Sequence, residues 1–394
     1  MPFMGTPGRV IALYALMYAA FGVSSPFMPA FLASRGLGPE QLGILFATGI
    51  AIRLASGPLC GRLADLTRAL RAVMVTCTVL AALIALALLP AAGFWPLLAI
   101  SLLQAAALAP ITTLADAIAL GVSGPCASGA RFEYGWARGA GSAAFIVGTL
   151  LSGQAVGRWG LPSIVVGHAA LLLSAAAAGT RVPETARSER LLEEAAHPSV
   201  GGVRGLLTLR PFRIVLVVAA LVLGSHAMHD AFAVIRWSAA GISPAVVSVL
   251  WSESVAAEVV VFFLVGPRLL GRLAPAGVLA LAAGAGALRW VVMAMTAQVA
   301  VLAVIQPLHG LTFAALHLAC MRVIAAIVPR GLAATAQALY ALGAAAATAL
   351  LTVASGQLYA RLGAEAFLAM ALLSALAGPV AWRLRTTDTP TVQA

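Results

Sequence analysis

Residues 96–121 read PLLAISLLQAAALAPITTLADAIALG, and this stretch contains one charged side chain, Asp116. A helix needs about 20 apolar residues to cross the hydrocarbon core of a bilayer, which is roughly 30 Å thick. Pro110 would interrupt a helix in water, but in lipid the neighbouring helices can re-satisfy the backbone groups that a proline frees. The stretch therefore predicts a membrane-spanning helix.

The whole chain has the same apolar character. Hydrophobic residues make up 62% of its 394 residues and charged residues 9%, whereas an ordinary globular protein has about 25% charged residues. The mean hydropathy is +1.01. Because so few polar side chains cannot cover a water-facing surface, the composition excludes a soluble enzyme, a nucleic-acid-binding domain and a disordered protein.

Apolar runs of spanning length recur along the sequence, and the single long polar stretch separates two sets of six. We therefore expect an all-α membrane protein with an N-terminal bundle at 1–180, a cytoplasmic linker at 181–210 and a C-terminal bundle at 211–394. The predicted spans are 10–33, 40–60, 72–92, 96–121, 135–157, 160–179, 211–236, 244–266, 274–296, 299–327, 332–358 and 364–384.

The arginines give the orientation. All 24 basic residues are arginine and the net charge is +11, which would otherwise suggest an anionic partner. With the N-terminus inside, seventeen arginines fall in inner loops and helix ends, and four (Arg35, Arg158, Arg236 and Arg361) fall in outer loops. Inner loops of membrane proteins are enriched in Arg and Lys. We therefore expect a multi-pass protein of the bacterial cytoplasmic membrane with both termini in the cytoplasm.

The two halves repeat each other. Ser152-Gly153-Gln154 recurs as Ser355-Gly356-Gln357 with an offset of 203, and Gln104 in the fourth span recurs as Gln306 in the tenth with an offset of 202. Two offsets that agree to one residue favour duplication over chance. Parallel six-helix repeats are the architecture of the major facilitator superfamily, in which substrate binds near the bilayer midplane.

The loop after the second span carries a motif. Residues 61–71 read GRLADLTRALR, which resembles the superfamily signature G-x-L-A-D-x-x-G-R-[RK], with Arg68 in place of the second glycine. Gly61, Asp65 and Arg68 are therefore the predicted gating motif. Asp65 can cap a helix N-terminus or pair with an arginine, as a latch that breaks during the conformational change. The alternative is an ordinary positively charged inner loop.

A closer resemblance is to the phenylpropionate permease group, which includes relatives of lactose permease and the nucleoside–proton symporters. The resemblance implies proton-coupled uptake of a small organic solute. His229, Asp230 and Glu253 depart from the group's pattern, which puts an aromatic acid in question as the substrate. The residues that carry the resemblance are Pro26-Phe27, Gly36-Leu37, Pro39-Glu40, Leu114-Ala115-Asp116-Ala117, Tyr134-Gly135, Arg138, Gly141-Ser142, Phe145-Ile146-Val147-Gly148, Trp251-Ser252, Ala257-Glu258-Val259, Arg289-Trp290, His309 and His317-Leu318-Ala319.

Ionisable residues inside spans are costly and are functional candidates by default. At about 1.5 Å per residue, four of them lie in one layer, roughly 9–15 Å below the outer face: Asp230, Glu253, Arg289 and His309. Glu258 lies deeper, about 140° around the helix from Glu253, so the two cannot share a face. We favour Glu258 as the proton carrier because the group's motif has a glutamate there, and the alternative is a permanently paired structural carboxylate.

A second set is predicted to contact the solute. Arg53 lies at mid-depth, and an arginine fork can hold a carboxylate through two hydrogen bonds. Asp116 and Arg138 lie near the inner ends of adjacent spans, where they can pair, and the resemblance extends the substrate-binding acidic and arginine residues of lactose permease to these two positions. A structural ion pair is the alternative for each arginine, and interhelical hydrogen bonding is the alternative for each glutamine. The full predicted substrate set is Arg53, Asp116, Arg138, Gln104, Gln306, Trp251 and Tyr18.

No cofactor or metal is expected. A weak candidate for a metal is the set His226, His229 and Asp230, whose i, i+3 and i+4 spacing shares one helix face, although a polar stripe lining the outer vestibule explains it as well. Cys60, Cys77, Cys126 and Cys320 are scattered and indicate neither a disulfide framework nor a zinc site. A nucleotide-binding Gly-x-x-x-x-Gly-Lys loop is impossible without lysine.

We therefore predict a monomeric secondary transporter that couples protons to the uptake of a small organic solute, such as an aromatic monocarboxylate, by alternating access. The nearest alternative is a proton-driven exporter of drugs or metabolites on the same fold. An intramembrane enzyme would need a nucleophile–base pair or a metal set. A solute-sensing receptor is disfavoured because the sequence suggests no signalling domain.

Overall fold

The computed structural model describes residues 5–125, 131–183 and 200–386. Within these ranges the chain is helical apart from turns and one antiparallel pair of two-residue strands, β1 (Gly124–Pro125) and β2 (Arg131–Phe132). A helix satisfies its own backbone hydrogen bonds, which lipid cannot do. The prediction of an all-α membrane protein is confirmed at this level.

The first compact unit consists of Met1–His197 together with Ser243–Val249. Leu13, Met17, Leu114 and Leu172 are fully buried in its core. Its described helices are α1 (Thr6–Ser24), α2 (Met28–Ser34), α3 (Pro39–Thr67), α4 (Leu70–Leu86), α5 (Phe94–Val122), α6 (Tyr134–Trp159) and α7 (Pro162–Gly179).

Glycines allow α1 and α6 to cross in backbone contact. A Cβ atom added at Gly22 would collide with the carbonyl oxygen of Phe145, and one added at Gly148 would lie 2.5 Å from that of Ala19. The Thr149 hydroxyl donates across the same crossing to the carbonyl oxygen of Gly22, at 3.1 Å. Small residues at close crossings are typical of membrane helices, and here they allow the backbones of α1 and α6 to touch.

The second compact unit consists of Pro198–Ile242 and Leu250–Ala394. Phe212, Val218, Leu279 and Leu316 are buried in its core. Its helices, of which α11 begins in the first unit, are α8 (Val200–Thr208), α9 (Arg210–Gly224), α10 (His226–Ala239), α11 (Pro244–Val260), α12 (Gly266–Arg272), α13 (Pro275–Met295), α14 (Val299–Ile305), α15 (Leu316–Ile327), α16 (Ala333–Leu362) and α17 (Phe367–Trp382). Short 3₁₀ turns occupy Gln306–Leu308, Arg330–Leu332, Gly363–Ala366 and Arg383–Thr386.

Two π-helical segments interrupt neighbouring helices of the second unit, one at Val261–Val265 and the other at Leu311–Ala315. The first begins three residues after Glu258, and the second begins two residues after His309. A Cβ atom added at Gly310 would lie 2.7 Å from the carbonyl oxygen of Ala257, so the two helices are in backbone contact beside these segments. Such π-segments are frequent at functional sites.

Ten helices of the described chain are long and apolar enough to cross a bilayer. One of them, Ala333–Trp382, is 50 residues long, and the shorter apolar helix Leu70–Leu86 is additional to the ten. The prediction of a protein with many membrane-spanning helices is confirmed, whereas the number twelve stays a prediction.

Two further predicted spans are interrupted, in both cases by a turn. The span at 10–33 covers α1 and α2, which are separated by a turn at Ser25–Phe27, because Pro26 has no N–H to continue the helix. The span at 211–236 covers α9 and α10, which meet at Ser225. Of the predicted linker at 181–210, residues 184–199 lie outside the described residues, as do Arg187, Arg190 and Cys126.

Candidate functional site

A buried arginine is the centre of the polar core of the second unit. Arg289 lies on α13 with 0% of its surface exposed, and its guanidinium carbon lies 4.6 Å from the ring centroid of Trp290. A buried charge is costly unless its donors are hydrogen-bonded. The surrounding residues therefore have to accept the N–H groups of Arg289.

Gln306 accepts two of these N–H groups on one atom. Its Oε1 receives hydrogen bonds from Nε of Arg289 at 3.1 Å and from Nη2 at 2.8 Å. Gln306 begins the 3₁₀ turn Gln306–Leu308, which contains Pro307 and follows the end of α14 at Ile305. Gln306 was predicted to contact the solute, with interhelical hydrogen bonding as the alternative, and in the structure it is fully buried and hydrogen-bonded to Arg289.

Two histidines accept further N–H groups from the same guanidinium. Nη1 of Arg289 lies 3.1 Å from Nδ1 of His309, and Nη2 lies 3.3 Å from Nε2 of His229. Arginine has only donors, so each of these ring nitrogens must present a lone pair. The other nitrogen of each neutral ring then carries the hydrogen.

Each histidine turns that second nitrogen towards a carboxylate. Nδ1 of His229 lies 3.2 Å from Oδ1 of Asp230, and Nε2 of His309 lies 3.6 Å from Oε2 of Glu258. The result is a continuous row of carboxylate, histidine, arginine, histidine and carboxylate, contributed by α10, α11, α13 and the segment that follows α14. We call the six residues Asp230, His229, Arg289, Gln306, His309 and Glu258 the Arg289 cluster.

The two carboxylates at the ends of the row differ in exposure. The side chain of Asp230 is 60% exposed and that of Glu258 is 25% exposed, whereas Arg289, Gln306 and His229 are buried. The row therefore has a buried cationic centre and two accessible acidic ends. Such an arrangement can gain or lose a proton at its ends without opening its centre.

Only three of the four residues that were predicted to share one layer lie together in the structure. Arg289, His309 and Asp230 do lie in one cluster, but Glu253 makes no hydrogen bond or ion pair with any residue that the structure describes. Glu258, predicted to lie on another face from Glu253, is the glutamate that reaches the cluster. Trp251 stacks on the ring of His229 with centroids 5.0 Å apart and is buried, so it packs against the cluster.

The weak metal candidate requires a correction. His226 and His229 do not line an exposed vestibule, because both are buried. His226 contacts the carbonyl oxygen of Val222 through Nδ1 at 3.0 Å and the hydroxyl of Thr312 through Nε2 at 2.9 Å. Both nitrogens of each ring are thus engaged, and the described residues hold no group of three His, Cys, Asp or Glu side chains suited to a metal ion.

The first unit has its own polar cluster, around Asp116 on α5. Oδ1 of Asp116 accepts hydrogen bonds from the hydroxyls of Tyr14 at 2.5 Å and Tyr134 at 2.8 Å, and it lies 3.8 Å from Nη1 of Arg138. Arg138 also donates to the hydroxyl of Tyr18. The predicted pairing of Asp116 with Arg138 is present, and we call these five residues the Asp116 cluster.

Tyr18 is held between the charge of Arg138 and the helix crossing. The Arg138 guanidinium carbon lies 5.4 Å from the ring centroid of Tyr18, and the Tyr14 ring stacks on the Tyr18 ring with centroids 6.0 Å apart. A Cβ atom added at Gly141 would lie 2.9 Å from the Tyr18 ring. The side chain of Arg138 remains 46% exposed, so some of its donors can bind a further group.

Sequence reasoning missed His168. This buried residue of α7 contacts the carbonyl oxygen of Ala20 through Nδ1 at 2.8 Å and Nε2 of Gln104 through its own Nε2 at 3.3 Å. It links α1, α5 and α7, so Gln104 takes part in packing. The signal was available, because His168 is a polar residue near the middle of a predicted span.

Arg53 differs from Arg138, Arg236 and Arg289 in its surroundings. It is exposed on α3, and no described residue forms a hydrogen bond or ion pair with it. Arg138, Arg236 and Arg289 each donate to a described neighbour. An unneutralised guanidinium on an apolar helix is suited to an anionic ligand.

The predicted gating motif lies at the end of α3. Gly61 and the half-buried Asp65 are in its last turns, and Arg68 is the C-cap residue, with φ 50° and ψ 39°. This left-handed conformation is the one that glycine adopts at helix ends. Arg68 therefore stands at a glycine-type position, where the superfamily signature has glycine.

Comparisons with known proteins agree along most of the chain. A family model described as the MFS_1 like family matches residues 9–369. The chain is 32% identical over 379 residues to a probable 3-phenylpropionic acid transporter of Escherichia coli (strain K12), covering 93% of this chain and 95% of that protein. It is 27% identical over 282 residues to a maltose permease of Geobacillus stearothermophilus, covering 71% and 69%.

Solved structures with the same fold are also transporters. The nucleoside transporter NupG superposes with a TM-score of 0.78 at 16% identity, covering 97% of this chain and 99% of that one. A bacterial homologue of the human lysosomal transporter Spinster, in an inward-facing and unoccupied conformation, superposes with a TM-score of 0.72 at 16% identity, covering 98% of each chain. At this identity the likeness establishes the fold.

Proposed function

The chain belongs to the MFS_1 like family of transporters, and we propose on that premise that it imports a small organic carboxylate together with a proton. The predicted resemblance to the major facilitator superfamily and its phenylpropionate permease group is confirmed. The chain is a multi-pass membrane transporter and not an enzyme.

Twelve spans are proposed within this fold. The 50-residue stretch Ala333–Trp382 is too long for one crossing, and it is interrupted at Gly363, where φ is 56°. Glycine in the left-handed region commonly ends a helix, so we count two spans there. With Leu70–Leu86 as a further span, the count becomes twelve, in bundles at 1–180 and 211–394 joined by the linker at 181–210.

Arg53 supports a carboxylate as the transported solute. It is a cation inside a span without a described partner, and the E. coli relative is named for a carboxylic acid. A guanidinium can hold a carboxylate through two parallel hydrogen bonds, which also fix its orientation. Arg138 and Asp116 are proposed to contact the rest of the solute, because Arg138 keeps exposed donors beside the Tyr18 ring.

The Arg289 cluster is proposed to carry the proton. With neutral histidines its formal charges are one cation, Arg289, and two anions, Asp230 and Glu258, so a single proton brings the sum to zero. A net charge in a span is costly, and the neutral form is therefore the one suited to the conformational change of alternating access. Glu258 is the proposed carrier, since it is a partly exposed acid directly beside His309.

The proposed order of events follows from these charges. Glu258 takes a proton from the outer side, the carboxylate binds at Arg53, and the loaded protein changes its accessibility towards the cytoplasm. The solute and the proton then leave on the inner side. Both termini are proposed to lie in the cytoplasm of a bacterium, with the monomer in the inner membrane as the working unit.

The observation that carries this proposal is the joining of Glu258 to Arg289 through His309. The test is uptake of labelled 3-phenylpropionate by vesicles that contain the purified protein. A gradient of about one pH unit is worth about 1.4 kcal/mol per proton and can drive about tenfold accumulation. We expect accumulation when the outside is the more acidic side, and no accumulation when the gradient is collapsed.

A set of solutes makes this test specific. Carboxylates, nucleosides, sugars and amines are offered as competitors, and we expect competition from carboxylates. Accumulation in vesicles whose inside is the more acidic side would establish the proton-driven exporter instead. Transport that ignores the pH gradient would contradict proton coupling, whatever the solute.

A further inference from the structure

The two histidines of the Arg289 cluster are candidates for carrying the proton themselves, because histidine titrates near physiological pH. We propose that they do not: His229 and His309 are positioning residues that stay neutral, each giving its lone pair to Arg289 and its N–H to a carboxylate. This inference rests on the proposed function, since it assigns roles within the proposed coupling cluster.

The contacts of the Arg289 guanidinium determine where the two histidine rings carry their hydrogens. Nη1 of Arg289 is 3.1 Å from Nδ1 of His309, and Nη2 is 3.3 Å from Nε2 of His229. An arginine in a protein does not give up its charge and offers only donors. A hydrogen on either of these ring nitrogens would place two donors against each other, so both nitrogens are lone pairs.

Gln306 also restricts which nitrogen of His229 can carry the hydrogen. Its Oε1 is occupied by two N–H groups of Arg289, and its Nε2 lies 3.4 Å from Nε2 of His229. The amide therefore presents its donor to the same lone pair of His229. Two independent donors converge on this nitrogen, which leaves Nδ1 as the only place for the hydrogen of that ring.

The single hydrogen of each ring faces an acid. Nδ1 of His229 donates to Oδ1 of Asp230 at 3.2 Å, and Nε2 of His309 points at Oε2 of Glu258 from 3.6 Å. The two rings use opposite tautomers, because they approach Arg289 through different nitrogens. Turning either ring over would break the contact with Arg289 and the contact with the acid together.

The charges that face the cluster favour the acids as the proton site. These titratable and charged groups are Asp230 and His226 on α10, Glu258 on α11, Arg289 on α13, His309 after α14, and His317 on α15, which lies within electrostatic range of Glu258; the rings of His226 and His309 lie 5.2 Å apart. A proton on either histidine would put a second cation within hydrogen-bonding distance of Arg289. A proton on Glu258 or Asp230 would instead remove surplus negative charge.

A non-titrating replacement tests the role in transport. Glutamine offers an acceptor and a donor but no proton uptake, so His229→Gln and His309→Gln are compared with the wild type and with His168→Gln. His168 is on α7 in the first unit, where it contacts the carbonyl oxygen of Ala20 and the side chain of Gln104. We expect both variants to accumulate 3-phenylpropionate within about tenfold of the wild-type rate, with an unshifted pH midpoint.

A histidine that does carry the proton would give a different result in the same experiment. Loss of a proton-transfer group typically costs about a hundredfold to ten-thousandfold in rate. If His229→Gln or His309→Gln abolishes accumulation but keeps solute exchange at equal pH, that histidine carries the proton and the inference is wrong. An unchanged midpoint with a modest loss of rate supports positioning.

Nitrogen-15 NMR of histidine-labelled wild-type protein tests the protonation states directly and does not depend on the variants. Between about pH 5 and 8, we expect Nε2–H in His309 and Nδ1–H in His229, assigned by comparison with the glutamine variants, and unchanged across the range. A cationic ring at either position in this window would overturn the inference. If the wild type shows no proton-driven uptake at all, the proposed function fails, while the NMR result still decides the tautomers.

Discussion

Arg289 and Gln306 meet through a single oxygen atom, Oε1 of Gln306, which accepts both Nε and Nη2 of the guanidinium at 3.1 and 2.8 Å. This contact holds the arginine in place without neutralising it. An amide oxygen satisfies donors but carries no formal charge. The compensating charge is left to Asp230 and Glu258, each one histidine away from Arg289.

Gln306→Glu tests whether the carboxylates have to be kept one histidine away from Arg289. A carboxylate at this position would pair with Arg289 permanently and bring the formal charge of the cluster to minus two, so one proton on Glu258 would no longer bring the sum to zero. We expect accumulation driven by about one pH unit to fall from about tenfold to near unity, with solute exchange at equal pH retained. The measurement is uptake and counterflow in the same vesicles, and a variant that keeps full accumulation would contradict a charge-compensating role.

Arg53→Gln tests the carboxylate site. Loss of a hydrogen bond to a charged group costs about 1.5–3 kcal/mol, or about tenfold to a hundredfold in affinity. We expect KM for 3-phenylpropionate to rise by that factor while the pH dependence of accumulation is unchanged. Arg158→Gln, at the exposed end of α6, is the matched control. Equal KM values for both variants and the wild type would exclude Arg53 from binding.

Arg68→Gly tests the strained end of α3. Among the residues that the structure describes, Arg68 is the one non-glycine residue with positive φ, at 50°. Such a conformation costs a side-chain-bearing residue about 1–2 kcal/mol, and glycine removes that cost at the expense of some chain entropy. We expect a net gain of about 1 kcal/mol, seen as a higher Tm of the purified protein.

Ala69→Gly is the control for Arg68→Gly. The adjacent Ala69 has φ −135°, where glycine relieves nothing, so this substitution should lower the Tm or leave it unchanged. If both substitutions raise the Tm equally, the effect does not come from the left-handed conformation.

Gly310→Ala tests the backbone contact beside the π-segments. The added Cβ would lie 2.7 Å from the carbonyl oxygen of Ala257 and 3.0 Å from its carbon. Because both atoms belong to the backbone, the helices must separate, and overpacking of this kind costs about 1–3 kcal/mol. We expect a lower Tm and slower transport, since the separation also moves His309 relative to Glu258.

Gly284→Ala, on α13, provides the comparison. No atom lies within 4 Å of a Cβ added there, and alanine in a helix is favoured over glycine by about 0.5–1 kcal/mol. This variant should be as stable as the wild type or slightly more so. Comparable losses of Tm and transport rate in both variants would indicate that the close contact at Gly310 is unimportant.

Position along a helix axis could be estimated from the sequence, whereas rotation about that axis could not. The rise of a helix is nearly constant, so counting residues placed Arg289, His309 and Asp230 in one layer, and the structure joins these three in the Arg289 cluster. Glu253 was assigned to the same layer by the same count, yet it makes no described contact with the cluster. Which face of a helix meets a neighbour depends on packing across the bundle.

The hydrogen-bonding partners of polar side chains also could not be predicted from the sequence. Asp116 was expected to meet Arg138, but the hydroxyls of Tyr14 and Tyr134 are its nearest donors. An aromatic residue in a span gives no sign of what its hydroxyl will reach. The π-segments were missed for a related reason, because they carry no hydrophobic period of their own.

The position of Arg68 shows the opposite case. The sequence departs from the superfamily signature at this residue, and the structure has a glycine-type conformation there. A local rule about helix ends was enough to connect the two observations. Short-range rules of this kind transfer from sequence to structure more reliably than predictions about which helix faces meet.

Glu258 is proposed to carry the proton that drives uptake. The most direct measurement is accumulation of 3-phenylpropionate by Glu258→Gln in vesicles with an acidic exterior, beside Glu253→Gln on the same helix. We expect an accumulation ratio near unity for Glu258→Gln, with exchange at equal pH preserved, and about tenfold accumulation for Glu253→Gln at about one pH unit. Undiminished accumulation by Glu258→Gln would contradict it.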